Sequence, residues 1–190
     1  TDNLKLIETD LVASPAVWGV ISPIILIPKG LGERLTDAHL RWTMLHELAH
    51  IKRRDLVMMW LQRLLTTIHF FNPVIWYTNR IVDQLREFIC DDLAESWIVE
   101  VTGRPQPAVA SQAFLNTLNF ARTQNSRVPA GVGVLGFGSL AACRTRIVRL
   151  LDDNRTKAAS LGPAAIACLL VIAGLLIPQL QAAPDEPKSS

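Results

Sequence analysis

His46-Glu47-Leu48-Ala49-His50 constrains this chain more than any other stretch. Residues i and i+4 of a helix lie one above the other on a single face, so both imidazoles can reach one cation only if the segment is helical. Glu47 sits about 100° round that helix from His46, too far to share the ion easily but well placed to hold a water beside it. Two ligands and a general base in this order form the H-E-x-x-H pattern of a zinc hydrolase. The pattern also requires a third protein ligand from elsewhere in the chain, with the fourth position left open for water.

Composition limits what surrounds that helix. A chain of 190 residues supports one domain with its own core, and a net charge of +2 argues against nucleic acid as the main partner. Nearly half of the residues are hydrophobic, 49%, which is rich for a water-soluble domain and points to membrane contact. Cys90, Cys143 and Cys168 are widely spaced and form no C-x-x-C pair, so neither a disulfide framework nor a cysteine zinc site is expected. A reducing compartment fits. The chain begins with Thr1, as a fragment or a processed form would.

Taken in order, residues 4–13 read as a strand. Val17 to Ile21 and Ile24 to Ile27 are β-branched runs broken by Ser22-Pro23, which predicts an edge strand, a bend or a hairpin. An exposed edge there could receive an extended peptide, although a plain structural hairpin is the simpler expectation. Thr36 is the expected N-cap of the H-E-x-x-H helix, with Asp37 in its first turn. His39 reads as structural. Apolar residues continue from Leu56 to Phe71, either buried or against lipid. Asn72-Pro73 restarts a helix over about 73–101, and Gly103 ends it. Residues 108–122 make an amphipathic helix with Val109, Phe114, Leu115, Leu118 and Ala121 inward. Residues 123–138 read as a loop. Their G-x-G-x-x-G spacing has no strand leading into it and no βαβ unit around it, so it is no dinucleotide site. Residues 139–152 form a basic helix with Arg144, Arg146 and Arg149.

Ala158 to Pro184 carry no charge. About 20 helical residues cross the hydrocarbon layer, so a transmembrane helix is expected within 158–184, centred on about 162–181. Five Lys/Arg lie between Arg144 and Lys157, and only Lys188 follows the span. The positive-inside rule then puts the preceding domain in the cytoplasm and residues 185–190 outside.

The third ligand is sought among carboxylates on a separate helix. The 73–101 segment offers Asp83, Glu87, Asp91, Asp92 and Glu95. Glu87 and Asp91 are i and i+4 and share a face, so one can bind metal while the other accepts an N–H from a ligand histidine. Spacing does not say which does which. Cys90 between them reads as a buried thiol. Lys52-Arg53-Arg54 reads as a solvated helix face. Trp18, Trp60, Trp76 and Trp97 suit a bilayer interface or the core.

Residues 46–56 (HELAHIKRRDL), 71–76 (FNPVIW) and 86–92 (REFICDD), in this order and at these separations, resemble the BlaR/MecR family of membrane metallopeptidases. That family comprises bacterial β-lactam sensor–transducers and their relatives. Residues 19–28 (GVISPIILIP) also resemble a family segment, and the likeness covers roughly residues 15–150. The resemblance implies a gluzincin site in which His46, His50 and Glu87 hold Zn2+, Glu47 is the catalytic base and Asp91 orients a ligand imidazole. It implies a mainly α fold with a small N-terminal β-sheet. A zinc metallopeptidase domain over 1–157 would comprise a sheet within 1–30 and helices within 36–152, followed by the membrane helix. The site pattern is shared with CAAX-type membrane proteases.

The implied activity is peptide-bond hydrolysis at the bacterial inner membrane, with the catalytic domain facing the cytoplasm. A developing oxyanion needs a further donor, and His69, Tyr77 and Arg86 are candidates. The implied target is a cytoplasmic transcriptional repressor, or the chain's own 123–138 loop. The sequence departs from the receptors of the family. It has no penicillin-binding sensor domain, no S-x-x-K motif and no earlier membrane helices, so it reads as one piece of a receptor or a relative with another input. Two rival readings are a non-hydrolytic signalling module whose zinc site is structural or vacant, and a broad quality-control protease.

Overall fold

The computed structural model describes residues 4–124 and 140–152. Three strands are followed by six helices: β1 (Lys5–Thr9), β2 (Ala16–Trp18), β3 (Ile24–Pro28), α1 (Leu31–Arg34), α2 (Asp37–Arg53), α3 (Asp55–Ile68), α4 (Pro73–Thr102), α5 (Pro107–Gln124) and α6 (Leu140–Leu151). The fold is therefore mainly helical with a small sheet, as expected.

Strand β3 is central, parallel to β1 and antiparallel to β2. The β2–β3 pair is the expected hairpin, with Val17 opposite Ile25, but the first of its two runs is shorter than predicted. Gly19 turns the chain at φ 92, where any Cβ would meet the Ser22 carbonyl oxygen at 2.7 Å. Val20 and Ile21 consequently lie in the exposed turn. The strand expected over 4–13 pairs only through residues 5–9. In β3, period-two alternation buries Ile25 and Ile27 against Leu31, Leu35 and Phe120.

Local chemistry sets the helix ends. The Thr36 side chain accepts from the His39 backbone N–H, and Asn72 from that of Val74, with Pro73 at the first helical position. Gly103 closes α4 in the left-handed region. Arg54 adopts the same region at φ 57, the one non-glycine among the described residues to do so. It ends α2 and begins α3, breaking what would otherwise be a continuous helix.

The main core gathers Trp42 from α2, Ile98 from α4, Ala110, Ala113, Phe114 and Leu118 from α5, and Cys143 and Leu150 from α6. Small residues let these backbones approach closely, so α2 lies against both α4 and α5. On α5 the buried face is Ala110, Ala113/Phe114, Thr117/Leu118 and Ala121, a regular helical period. Leu115 falls about 100° from Phe114 and is exposed, contrary to expectation. Trp18, Trp60 and Trp76 are exposed too, so they do not fill the core, and Trp42 does. His39 is structural as expected, with its Nδ1 3.2 Å from Asn116 Nδ2 across α2 and α5.

No helix among the described residues is long and apolar enough to cross a membrane. The expected membrane span 158–184, the 185–190 tail and most of the 123–138 loop lie outside the described residues.

Candidate metal centre

Helix α2 presents both histidines of the H-E-x-x-H run toward α4. Their rings meet edge to face, with centroids 4.9 Å apart, and His46 also stacks on the buried Trp42 ring. The two Nε2 atoms lie 3.2 Å apart. Glu87 reaches across from α4, with Oε2 3.4 Å from His46 Nε2 and Oε1 3.8 Å from His50 Nε2. Three residues from two helices thus each bring a donor atom within 4.8 Å of the other two.

These separations test whether the residues fit zinc. Bonds of about 2.0–2.1 Å in a tetrahedron place neighbouring ligand atoms about 3.3–3.4 Å apart. The 3.2 Å between the two Nε2 atoms is close to that edge, and each Nε2 has its own Glu87 oxygen at 3.4 or 3.8 Å, so a cation can be reached from all three residues. The donor chemistry, two imidazoles and one carboxylate, is that of a catalytic zinc site.

Each imidazole has its own carboxylate on the opposite side. His46 Nδ1 is 3.0 Å from Asp91 Oδ1, and His50 Nδ1 is 2.9 Å from Asp55 Oδ2. With a proton on each Nδ1 donated to these oxygens, both Nε2 lone pairs would be left for a cation. Asp91 lies behind His46. The residue paired with His50 is Asp55, which no motif singled out although it lies five residues beyond that ligand. The left-handed Arg54 turns the chain so that Asp55 points back at α2.

Arg146 of α6 is the other unforeseen member. Its Nε and Nη2 donate to Asp91 at 2.8 and 2.7 Å, and its Nη1 donates to Glu87 at 2.8 Å. Its Nη2 also lies 3.0 Å from His46 Nε2. One guanidinium thereby balances two carboxylates in a buried setting. No local pattern marks it, since 55 residues separate it from Asp91.

These contacts move the titrations. Burial alone raises the Glu87 carboxyl, but the Arg146 charge, the hydrogen bond to His46 and both imidazoles outweigh it and hold the group far below the usual range. Asp91 is likewise lowered, with Arg146 and His46 overcoming burial. Burial and the Arg146 charge push His46 down, yet its hydrogen bonds to Asp91 and Glu87 prevail and raise it to about 9. Burial, then Asp55 and Glu87, push the Cys90 thiol far above its ordinary value.

Cys90 belongs to a second possible donor group, His50–Asp55–Cys90. A thiol held protonated is a poor ligand, and its Sγ lies 3.2 Å from Asp55 Oδ2 as a donor. The His46–His50–Glu87 group is therefore the stronger metal candidate, and Cys90 is the buried thiol expected.

Glu47 is buried between the two histidine turns, and no described residue hydrogen-bonds its carboxylate. Of the three oxyanion candidates, only Arg86 borders the cluster. Its Nε lies 4.0 Å from Glu87 Oε1, while its Nη1 turns to Gln62 and Asp83. His69 caps the end of α3 and lies against Phe71, and Tyr77 is exposed. Lys52-Arg53-Arg54 is not one solvated face, because Arg53 pairs with Asp55 and Lys52 lies over the Trp97 ring. A cleft of about 310 Å³ between the start of α2 and the end of α4 holds none of the cluster's side chains.

The profile of the BlaR1 peptidase M56 family matches residues 1–96, which include every member of the cluster except Arg146. The chain is 35% identical over 86 residues to the regulatory protein BlaR1 of Bacillus licheniformis, an overlap of 45% of this chain and 14% of that protein. It is 25% identical over 150 residues to the methicillin resistance mecR1 proteins of Staphylococcus aureus and Staphylococcus epidermidis, covering 77% of this chain and 25% of each relative. The chain thus spans a quarter or less of the length of these relatives. With its profile match running through both histidines and Glu87, the chain belongs to the BlaR1 peptidase M56 family.

Proposed function

We propose that this chain is a zinc metalloendopeptidase domain of a membrane-anchored signal transducer. The observation that carries the reading is the convergence of His46, His50 and Glu87 at zinc-like spacing, with an Asp behind each imidazole. The domain comprises residues 1–157, a membrane helix lies within 158–184, and residues 185–190 form the extracytoplasmic tail. The charge-free composition of 158–184 and the basic residues before it support that layout in the bacterial inner membrane, with the domain facing the cytoplasm.

Zinc bound there supplies Lewis-acid chemistry that activates water and polarises an amide carbonyl. His46 and His50 would hold it, and Glu87 would complete the set. Asp91 and Asp55 fix both ring orientations and raise ligand basicity. Glu47 takes the proton from the attacking water and returns it to the leaving amine. Arg86 is the nearest candidate for steadying the oxyanion.

The substrate class is a peptide bond in a cytoplasmic regulatory protein, such as a transcriptional repressor, or within the chain's own 123–138 loop. Membership of a family named for regulatory proteins supports that choice over a broad quality-control protease. Two measurements on the full chain in liposomes test the reading. Elemental analysis should find about one zinc per wild-type chain and a large loss in Glu87→Ala. Mass spectrometry should find zinc-dependent cleavage by wild type, abolished by chelator and by Glu47→Gln. Zinc retained in full by Glu87→Ala, or cleavage undiminished in Glu47→Gln, would sink the assignment. Zinc without any cleavage would favour the non-hydrolytic signalling module.

A further inference from the structure

The α3–α4 hairpin has its polarity reversed. Its inner seam is polar: Gln62 Nε2 donates to Asp83 at 3.3 Å, Asn79 Nδ2 to Thr66 Oγ1 at 2.6 Å, and Arg86 Nη1 to Gln62 Oε1 at 3.3 Å. Its outer face is apolar. On α3, Val57, Trp60, Leu64 and Ile68 are all exposed and recur at helical spacing. On α4, Val74, Tyr77, Ile81 and Leu85 repeat that spacing and are exposed as well. Phe70 and Phe71 are exposed in the turn between the helices. Trp60 is 68% exposed and Tyr77 67%.

Helix pairs in water bury apolar stripes and show polar ones. Hydrogen-bonded polar seams with apolar outer faces belong to helices in lipid. A contiguous apolar face of this extent needs a cover. The charge pattern indicates which cover. From Leu56 to Leu85 the charged residues are Arg63 and Arg80, both exposed, and Asp83, which Gln62 and Arg86 hold in the polar seam. A second copy laid on this face would bring arginines together, while Asp83 is already engaged in the seam by Gln62 and Arg86. Anionic headgroups would meet them directly, and Trp and Tyr favour the same depth. Helix α3 has 14 residues, too short to span but suited to lying in the interface.

We propose that α3 and α4 lie in the surface of an anionic lipid bilayer, as an attachment distinct from residues 158–184. Glu87 follows Ile81 by six residues, about 9 Å along α4. The His46–His50–Glu87 cluster then faces substrate arriving at the membrane surface. This attachment holds whether or not the site hydrolyses peptides.

The test reads tryptophan emission from the full chain in vesicles of phosphatidylglycerol and brominated phosphatidylcholine, with aqueous acrylamide as the opposing quencher. Trp60 and Trp76, both exposed on this hairpin, are two of five tryptophans. Wild type should be strongly quenched by bromolipid and shielded from acrylamide. Trp60→Phe/Trp76→Phe keeps the face apolar and should lose most of the bromolipid quenching. Equal quenching in the double variant overturns the proposal, because the signal then comes from other tryptophans. Shielding from both quenchers overturns it in favour of cover by protein, either a second copy or residues 158–184 of the same chain. Full access to acrylamide overturns it in favour of an open face.

Discussion

His50 Nδ1 and Asp55 Oδ2 lie 2.9 Å apart across the break between α2 and α3. Asp55 is nearly inaccessible and also receives Arg53 and the Cys90 thiol, so its carboxylate joins three groups around one ligand. Asp55→Asn should retain the fold and weaken zinc affinity by about 10–100-fold, the usual cost of removing a carboxylate behind a ligand histidine. Competition against a chromophoric chelator measures it. Affinity equal to wild type would mean that Asp55 does not set the His50 ring.

Arg146 carries a different load. Asp91 is 1% exposed and Glu87 24%, and Arg146 is the guanidinium that bridges both. Arg146→Met leaves two close carboxylates without that charge, which should destabilise the metal-free protein by about 3–5 kcal/mol. Zinc supplies positive charge at the same place, so the loss should be smaller in the zinc-bound protein. Arg146→Lys keeps the charge but not the two-pronged fit to Asp91, and should fall between. Denaturant titrations with and without zinc would show the ordering. The same deficit in both states would contradict charge balance as its role.

These two residues show where sequence reading ended. The helices, their caps at Thr36 and Asn72, and the i,i+4 pairs His46/His50 and Glu87/Asp91 are local signals, and local signals carry over to structure. Spacing leaves the roles of Glu87 and Asp91 undivided, because both face α2; the family resemblance divides them, and the ring placement shows Glu87 at both Nε2 atoms and Asp91 at His46 Nδ1. Asp55 was in plain view, but its approach to His50 depends on a left-handed arginine that composition does not foretell. Arg146 arrives from a separate helix, and in sequence it looked like one of several membrane-orienting cations. Leu115 was misplaced because apolar character alone does not fix a helix face when its neighbours are alanines.

The His46 titration makes metal binding depend on pH. Its pKa of about 9 in the metal-free fold exceeds the ordinary 6.5, so the folded state holds the proton more tightly than the unfolded chain. That preference adds stability below about pH 6.5 and is lost as pH rises through about 9. A cation must displace the same proton. Zinc affinity should therefore climb with pH, by about tenfold per unit until near pH 9, and binding at pH 7 should release protons. Calorimetry in buffers of different ionisation enthalpy counts them. Binding at pH 7 with no proton release would place His46 in its neutral form before the metal arrives.

Arg54 offers a test of the backbone itself. Its φ of 57 ends α2, starts α3 and directs Asp55 toward His50. A left-handed conformation costs a residue bearing a Cβ about 1–2 kcal/mol, and glycine escapes that cost. The Arg54 side chain is exposed, so its removal empties no cavity. Arg54→Gly should thus match or exceed wild-type stability, because relief of strain offsets the greater freedom of glycine in the unfolded chain. Arg54→Val adds a branch at Cβ in the same conformation and should melt lowest of the three. If the Val variant melted as high as Gly, the break between α2 and α3 would not have the handedness that brings Asp55 to the zinc ligands.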